Sequence, residues 1–310
     1  MNAPGGSRQY LDPATISRLK KLDLKAKLVV EGFLTGLHRS PYHGFSVEFA
    51  EHRQYMPGDP IRDIDWKVYG KTDRYYIKQY EEETNLRAHL LVDISRSMTF
   101  ASEGHLSKLE YAKHLAAALS YLLLHQQDSV GLVLFDDAIR RYLPPRSARR
   151  HLRVVLRELE SLTPGRVTDV GRCLDHMAER IRRRGLIIVL SDLAPDPEGP
   201  DLMAEADRIV KALKHFRYKK HEVIVFHILD EHERTFPYQD ETGFVDLESG
   251  EEVIAQPWVI AREYREKLEE WSSILRRACG EQRIEFVELT NQTPFDRALL
   301  RFLEKRGRLH

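Results

Sequence analysis

His89-Leu90-Leu91-Val92-Asp93-Ile94-Ser95-Arg96-Ser97-Met98 is the stretch that decides the fold. A short apolar run followed at once by an acid and two spaced hydroxyls has the character of a buried strand whose C-terminal end opens into a polar loop, where α/β proteins place their sites. Asp93, Ser95 and Ser97 alternate, so a turning loop can bring their oxygens towards one point and offer a hard cation its preferred ligands.

The D-x-S-x-S spacing resembles the metal-ion-dependent adhesion site (MIDAS) of von Willebrand factor A-type domains. The resemblance implies two further ligands from later loops, a Thr and then an Asp. Thr168 lies in Gly165-Arg166-Val167-Thr168-Asp169-Val170-Gly171 before a helical pattern, and Asp192 closes the apolar run Leu186 to Ser191. Asp93, Ser95, Ser97, Thr168 and Asp192 together would suit octahedral Mg²⁺, with Mn²⁺ as a substitute, and would leave a coordination position open. An Asp or Glu of a protein ligand would fill that position. Each residue also has an ordinary alternative: Ser95, Ser97 and Thr168 as helix caps, Asp192 as a loop acid satisfying backbone amides.

Composition narrows the field. The 310 residues carry 48 Lys plus Arg against 48 Asp plus Glu, so no bulk charge draws the chain to nucleic acid or an anionic membrane. The basic clusters 180–184 and 146–153 fall on helical patterns without interleaved aromatics and read as solvated faces. Cys173 and Cys279 lack CxxC spacing and are expected as buried helix residues in a reducing compartment. Met1 to Arg8 is a Gly/Pro/Ser tail with no apolar signal region, and no stretch approaches the roughly 18 apolar residues of a span. The expectation is a cytoplasmic protein with no membrane segment.

Residues 13–37 show helical periodicity broken by glycines, and Phe45, Val47 and Phe49 alternate as in a half-buried strand before the turn Pro57-Gly58-Asp59-Pro60. A second extended run, 75–80, leads to the strand that ends at Asp93. The segment Tyr55-Met56-Pro57-Gly58-Asp59-Pro60-Ile61-Arg62-Asp63-Ile64-Asp65-Trp66, directly upstream of a D-x-S-x-S strand, resembles the bacterial domain-of-unknown-function family numbered fifty-eight. That family joins this signature to a von Willebrand A-like domain and is commonly encoded beside MoxR-type AAA+ ATPases, which implies such an ATPase as partner. Arg53, Tyr55, Asp59, Arg62, Asp65 and Trp66 have two readings: a structural set, with Arg62 pairing Asp59 or Asp65 and Trp66 packing between lobes, or a partner-binding surface.

Downstream, Ser107-Lys108-Leu109-Glu110 has capping-box form before a striped helix. Strands are expected at 130–135, 139–143, 186–190, 223–229 and 284–289, and helices at 147–161, 169–183, 201–217, 258–279 and 294–305. A hairpin near 233–256 should insert at the sheet's edge. The implied architecture is α/β and von Willebrand A-like: a doubly wound, mostly parallel sheet with helices on both faces. The domains expected are a tail over 1–10, an N-terminal helix and β-rich lobe over 11–85, and the α/β domain over 86–310. The sequence shows no P-loop, G-x-G-x-x-G, H-E-x-x-H or G-x-S-x-G pattern, and His114, His125, His221, His227 and His232 lack ligand spacing. The function expected is therefore non-enzymatic: an adaptor or co-chaperone-like module binding its partner through the metal. A metal-dependent hydrolase and a metal-free scaffold are the alternatives.

Overall fold

The computed structural model describes residues 12–17, 21–38, 52–54, 66, 69–70, 73–78, 86–165, 169–195, 202–245, 247, 250 and 252–307. The N-terminal tail, the strand expected at 45–49, the 57–60 turn, and Tyr55, Asp59, Arg62, Asp65 and Thr168 lie outside them. Two compact units emerge, Met1–Ser40 with Leu86–His310, and Pro41–Asn85.

The larger unit is built on a six-stranded sheet. Its strands are β3 (Arg87–Asp93), β4 (Ser129–Phe135), β5 (Ile139–Arg146), β6 (Leu186–Ser191), β7 (Glu222–Leu229) and β10 (Glu285–Thr290). They lie in the order β10-β7-β6-β3-β4-β5, all parallel to their neighbours except the edge strand β5, which runs antiparallel to β4. β3 is the first of these six strands in the chain yet central in the sheet, so the strand order reverses beside it; such a switch point opens a crevice at the C-terminal strand ends.

Period-two alternation sends the apolar residues of each buried strand to both faces. Leu90, Val92, Leu132, Ile188 and Phe226 meet α2 (Leu22–His38), α3 (Lys108–His125), α4 (Arg149–Glu160) and α9 (Phe295–Gly307). Leu91, Val133, Ile187, Val189 and Val225 meet α5 (Val170–Arg180), α6 (Leu202–Tyr218) and α8 (Pro257–Glu281). α2, preceded by the short α1 (Pro13–Ser17), packs on α3, where Lys25 Nζ donates to His114 Nε2 at 2.9 Å. Cys173 and Cys279 are buried in α5 and α8. The mixed sheet with helices on both faces is the von Willebrand A-like α/β fold expected.

Two local expectations need correction. Ser107 caps α3 by accepting from Glu110 N, but the Glu110 side chain pairs with Lys113 at 3.0 Å instead of returning to the cap. The hairpin, β8 (Thr242–Val245) with β9 (Glu252–Ala255), forms a separate two-stranded sheet and adds no strand to the large one. Before it comes the short α7 (Glu231–Thr235), held by an Asp230/Glu233 capping box.

In the smaller unit β1 (His52–Gln54) pairs antiparallel with β2 (Tyr76–Lys78), placing Arg53 opposite Ile77. Trp66, 57% exposed, meets Tyr69 edge-on, and Tyr69 stacks on Tyr75. Among the described residues no helix is long and apolar enough to cross a membrane.

The core also holds histidines that alternation alone did not single out. His89, in β3, is buried with its Nδ1 unpartnered, and burial, then the neighbouring His221 and Arg87, push it down to about 4. A base depressed on folding stabilises above its unfolded value near 6.5, and that contribution is lost as pH falls through about 4. Wild type should therefore lose about 3 kcal/mol between pH 7 and pH 4 from this residue. Urea unfolding at the two pH values should show a smaller acid loss for His89→Leu; an equal loss would place the acid sensitivity elsewhere.

Candidate functional site

At the switch point the C-terminal ends of β3 and β6 carry Asp93 and Asp192, 0% and 2% exposed. The Asp93 carboxylate accepts Ser95 N–H at 2.9 Å and the Ser191 hydroxyl at 2.6 Å. Ser191 Oγ in turn accepts Leu193 N–H at 2.9 Å. Ser95 and Ser97 share a hydroxyl contact of 3.0 Å, and the Ser97 hydroxyl is among the groups that, against burial, lower the Asp192 carboxyl, after the Lys108 charge and its hydrogen bond. Four of the five residues expected at one point are thus brought together, while Thr168 lies outside the described residues.

The loops are fixed from several sides. Ile94 O accepts Gly165 N–H at 2.7 Å, and a side chain at residue 165 would collide with the Asp136 carboxylate, so only glycine allows this approach. Leu193 is buried in the left-handed region at φ 46°, a conformation costing a branched residue of order 1–3 kcal/mol. The Ser191 hydroxyl bond and a 3.1 Å bond from Trp271 Nε1 to Leu193 O hold it. Arg96, which begins the 3₁₀ turn over 97–99, makes no side-chain cap bond, and α5 is capped by Asp169.

The decisive residue was not among those expected. Lys108, in the first turn of α3 and 3% exposed, reaches Asp192 Oδ2 at 2.9 Å and Glu233 Oε1 at 2.7 Å. Burial opposes its charge, yet the carboxylates of Asp192 and Glu233 outweigh burial and raise its pKa. Burial likewise works against ionised Asp192, and the Lys108 charge overcomes it, leaving that carboxyl below its ordinary range. Asp93 has no such cation: burial, then the Asp192 charge, push it up to about 7 against the hydrogen bonds from Ser191 and Ser95.

This arrangement corrects the expectation of Mg²⁺ or Mn²⁺. Among the described residues no group of three or more His, Cys, Asp or Glu side chains comes together to hold a metal ion. The physical reason lies in the partners: Asp192 is neutralised by an ammonium of the chain itself, and Asp93 is engaged by a hydroxyl and an amide. Positive charge at the switch point is supplied internally.

A further buried carboxylate, Asp230, binds the neighbouring loops. It accepts Ser102 N–H at 2.9 Å, the Ser102 hydroxyl at 3.1 Å, His232 N–H at 2.8 Å and the Asn291 amide. Asn291 Nδ2 also donates to Leu106 O at 2.7 Å. The ends of β7 and β10 and the loop entering α3 are thereby joined. His227 Nε2, buried, donates to Asp192 O at 2.8 Å. Asp230 and Glu233 were not among the residues expected either, although their D-x-x-E spacing is a cap signal that could have marked them; nothing in the local sequence marks Lys108, because its partners lie 84 and 125 residues away.

Removing one member of this triad leaves buried charge unpaired. Lys108→Met should destabilise the protein by about 3–5 kcal/mol at neutral pH. Adding Asp192→Asn and Glu233→Gln to that variant should restore much of the loss, a non-additivity read by urea unfolding. Purely additive losses would refute the coupling. Saturating Mg²⁺ should leave the wild-type melting temperature within about 1 °C, since a ligand of the native state would raise it.

Comparison with known proteins places the chain. An uncharacterized protein of Mycobacterium bovis is 28% identical over 242 residues, covering 77% of this chain and 73% of that protein. Among solved structures, BatB of Bacteroides thetaiotaomicron aligns with TM-score 0.46 and 18% identity, over 72% of this chain and 99% of that one. The PilB minor pilin of Streptococcus sanguinis aligns with TM-score 0.45 and 14% identity, over 76% and 64%. The family model described as "Protein of unknown function DUF58" matches residues 51–272, and the chain belongs to that family.

Proposed function

We propose that this protein is a protein-interaction module, an adaptor that engages its partner without a bound cation. The observation that carries this reading is the Lys108–Asp192–Glu233 triad: the charge that a metal would bring to the switch point is built into the chain. The polar groups of the crevice are largely consumed in holding loops. Ser191 serves Asp93, His227 serves the Asp192 carbonyl, and Asp230 is filled by four donor atoms. Acid–base or nucleophilic catalysis needs a reactive group paired with a base and open to substrate, and buried Asp93, Asp192 and His227 do not offer that.

What the crevice does offer is a rim fixed in shape. Arg96, Ala101, Glu103 and His105 are exposed on the loop between β3 and α3. Beside it, Ile94, Asp136, Arg140, Thr163, Pro164 and Gly165 line a cleft of about 430 Å³. Loops of this kind on a rigid sheet are where binding residues concentrate. The proposed partner is a MoxR-type AAA+ ATPase, a choice supported by the resemblance carried by the 55–66 signature and the D-x-S-x-S strand.

Capture of the MoxR-type ATPase from the same source by the purified full chain tests the proposal. Wild type should retain the ATPase, and Arg96→Glu combined with Glu103→Arg should weaken retention by about tenfold or more at unchanged melting temperature. Retention indifferent to both substitutions would remove the rim as the contact surface; absence of capture by wild type would remove the partner.

A further inference from the structure

The basic cluster over 146–153 acquires a shape in the folded chain. Helix α4 buries His151, Val155 and Leu159 at spacing i, i+4, i+8, and His151 Nε2 donates to Val130 O at 2.9 Å, locking the helix onto β4. The opposite stripe, Arg150, Arg153, Val154 and Arg157, has spacing i, i+3, i+4, i+7 and therefore shares one face. It lines a groove of about 610 Å³ together with Ser129, at the start of β4, and Pro145, Arg146, Ser147 and Ala148 from the end of β5 and its turn. Gly131 lets β5 close in here, since a Cβ at that position would lie 2.8 Å from Leu143 O.

Four arginines line this groove and no carboxylate does. Arg146, Arg150, Arg153 and Arg157 are exposed. Among the described residues none of the four takes part in an ion pair, and the nearby Arg140 and Arg141 are already paired with acids of their own. The nearest acids on α4 are used elsewhere: Glu158 holds Arg141 at 2.6 Å, and Glu160 accepts Leu22 N–H at 3.4 Å. In a chain whose charges sum to zero, this concentration of one sign is local and uncompensated.

We propose that the groove is a docking site for an acidic, extended segment of a partner protein. Arg150 to Arg157 spans about 10 Å of helix, which an extended peptide covers with roughly three residues. Guanidinium forks bind carboxylates bidentately. Val154, 42% exposed, with Pro145 and Ala148, gives the floor an apolar strip between the charges. That combination fits a peptide in which Asp or Glu flank an aliphatic residue. Nucleic acid fits less well: the only aromatic ring in the lining is that of buried His151, so exposed bases would find no stacking platform. The proposal deepens the interaction-module reading and rests on it for the nature of the partner, but it concerns a surface separate from the crevice rim.

The test is fluorescence anisotropy of the full chain with a labelled octapeptide in which Glu alternates with Leu, beside a Gln-for-Glu control peptide and a single-stranded oligonucleotide of equal charge. Binding of the acidic peptide alone, weakening with salt and falling about tenfold or more in Arg150→Gln/Arg153→Gln/Arg157→Gln, supports the proposal. These side chains are exposed, and an unchanged melting temperature for the triple variant would tie the loss to the groove. No binding of the acidic peptide, equal binding by the triple variant, tighter binding of the oligonucleotide, or displacement by millimolar inorganic phosphate at constant ionic strength would each overturn it. The crevice variant Arg96→Glu/Glu103→Arg should bind the peptide as wild type does, so a failed ATPase capture and a failed groove are separate results.

Discussion

An ammonium group buried between two carboxylates organises the C-terminal strand ends of the sheet. Lys108 is the first residue of α3, Asp192 follows β6, and Glu233 belongs to α7, so one charge ties together three segments distant in sequence. Burying an ion costs several kcal/mol unless its partners are close and well directed. Here the distances are 2.9 and 2.7 Å, and Glu233 also accepts Asp230 N–H through its other oxygen at 2.8 Å. The triad therefore acts as a registration device: a shift of α3 along the sheet would strand a charge in the interior. It also sets the electrostatics of its surroundings, holding Asp192 ionised while Asp93, lacking a cation, is pushed towards neutrality.

Around that triad the switch-point loops are joined by backbone and side-chain bonds that leave them little freedom. Asp230 anchors three of them, Gly165 permits the approach of a fourth, and Leu193 is kept in an unfavourable backbone conformation by Ser191 and Trp271. Such a surface is suited to presenting one shape to a partner. On another part of the sheet, the junction of β5 and α4 presents charge without internal partners. The two surfaces differ in physical type: the crevice is neutralised from within, whereas the arginine groove needs its counter-charge from outside.

Much of the sheet was readable in advance because hydrophobic periodicity is a local signal. Leu90 to Val92, Val130 to Phe135 and Leu186 to Leu190 are short apolar runs, and strands covered on both faces have that character. The stripes of α3 and α5 follow from the same cause. The hairpin at 242–255 was readable as a hairpin but not as a separate sheet, since turn residues specify pairing between neighbours and say nothing of which edge the pair joins. The cap at Ser107 was visible, but the Glu110 side chain chose Lys113, a competitor the motif does not encode.

The sequence by itself determined the strand and helix alternation and the position of Asp93 at a strand end, with Ser95 and Ser97 beside it, because each depends on residue type and short-range spacing; that Asp192 would lie near them was implied only by the family resemblance. Only the tertiary structure decided what neutralises Asp192. Lys108 becomes its neighbour through the packing of α3 beside the end of β6, and a lysine at a helix start carries no mark distinguishing a buried ion-pair partner from a solvated one. Likewise, 146–153 looks in sequence like any solvated basic face. It becomes a groove only because α4 turns one stripe onto the sheet and leaves the other beside Pro145 and Arg146. Long-range contacts convert charge patterns into chemistry, and those contacts follow from the global packing that periodicity only constrains.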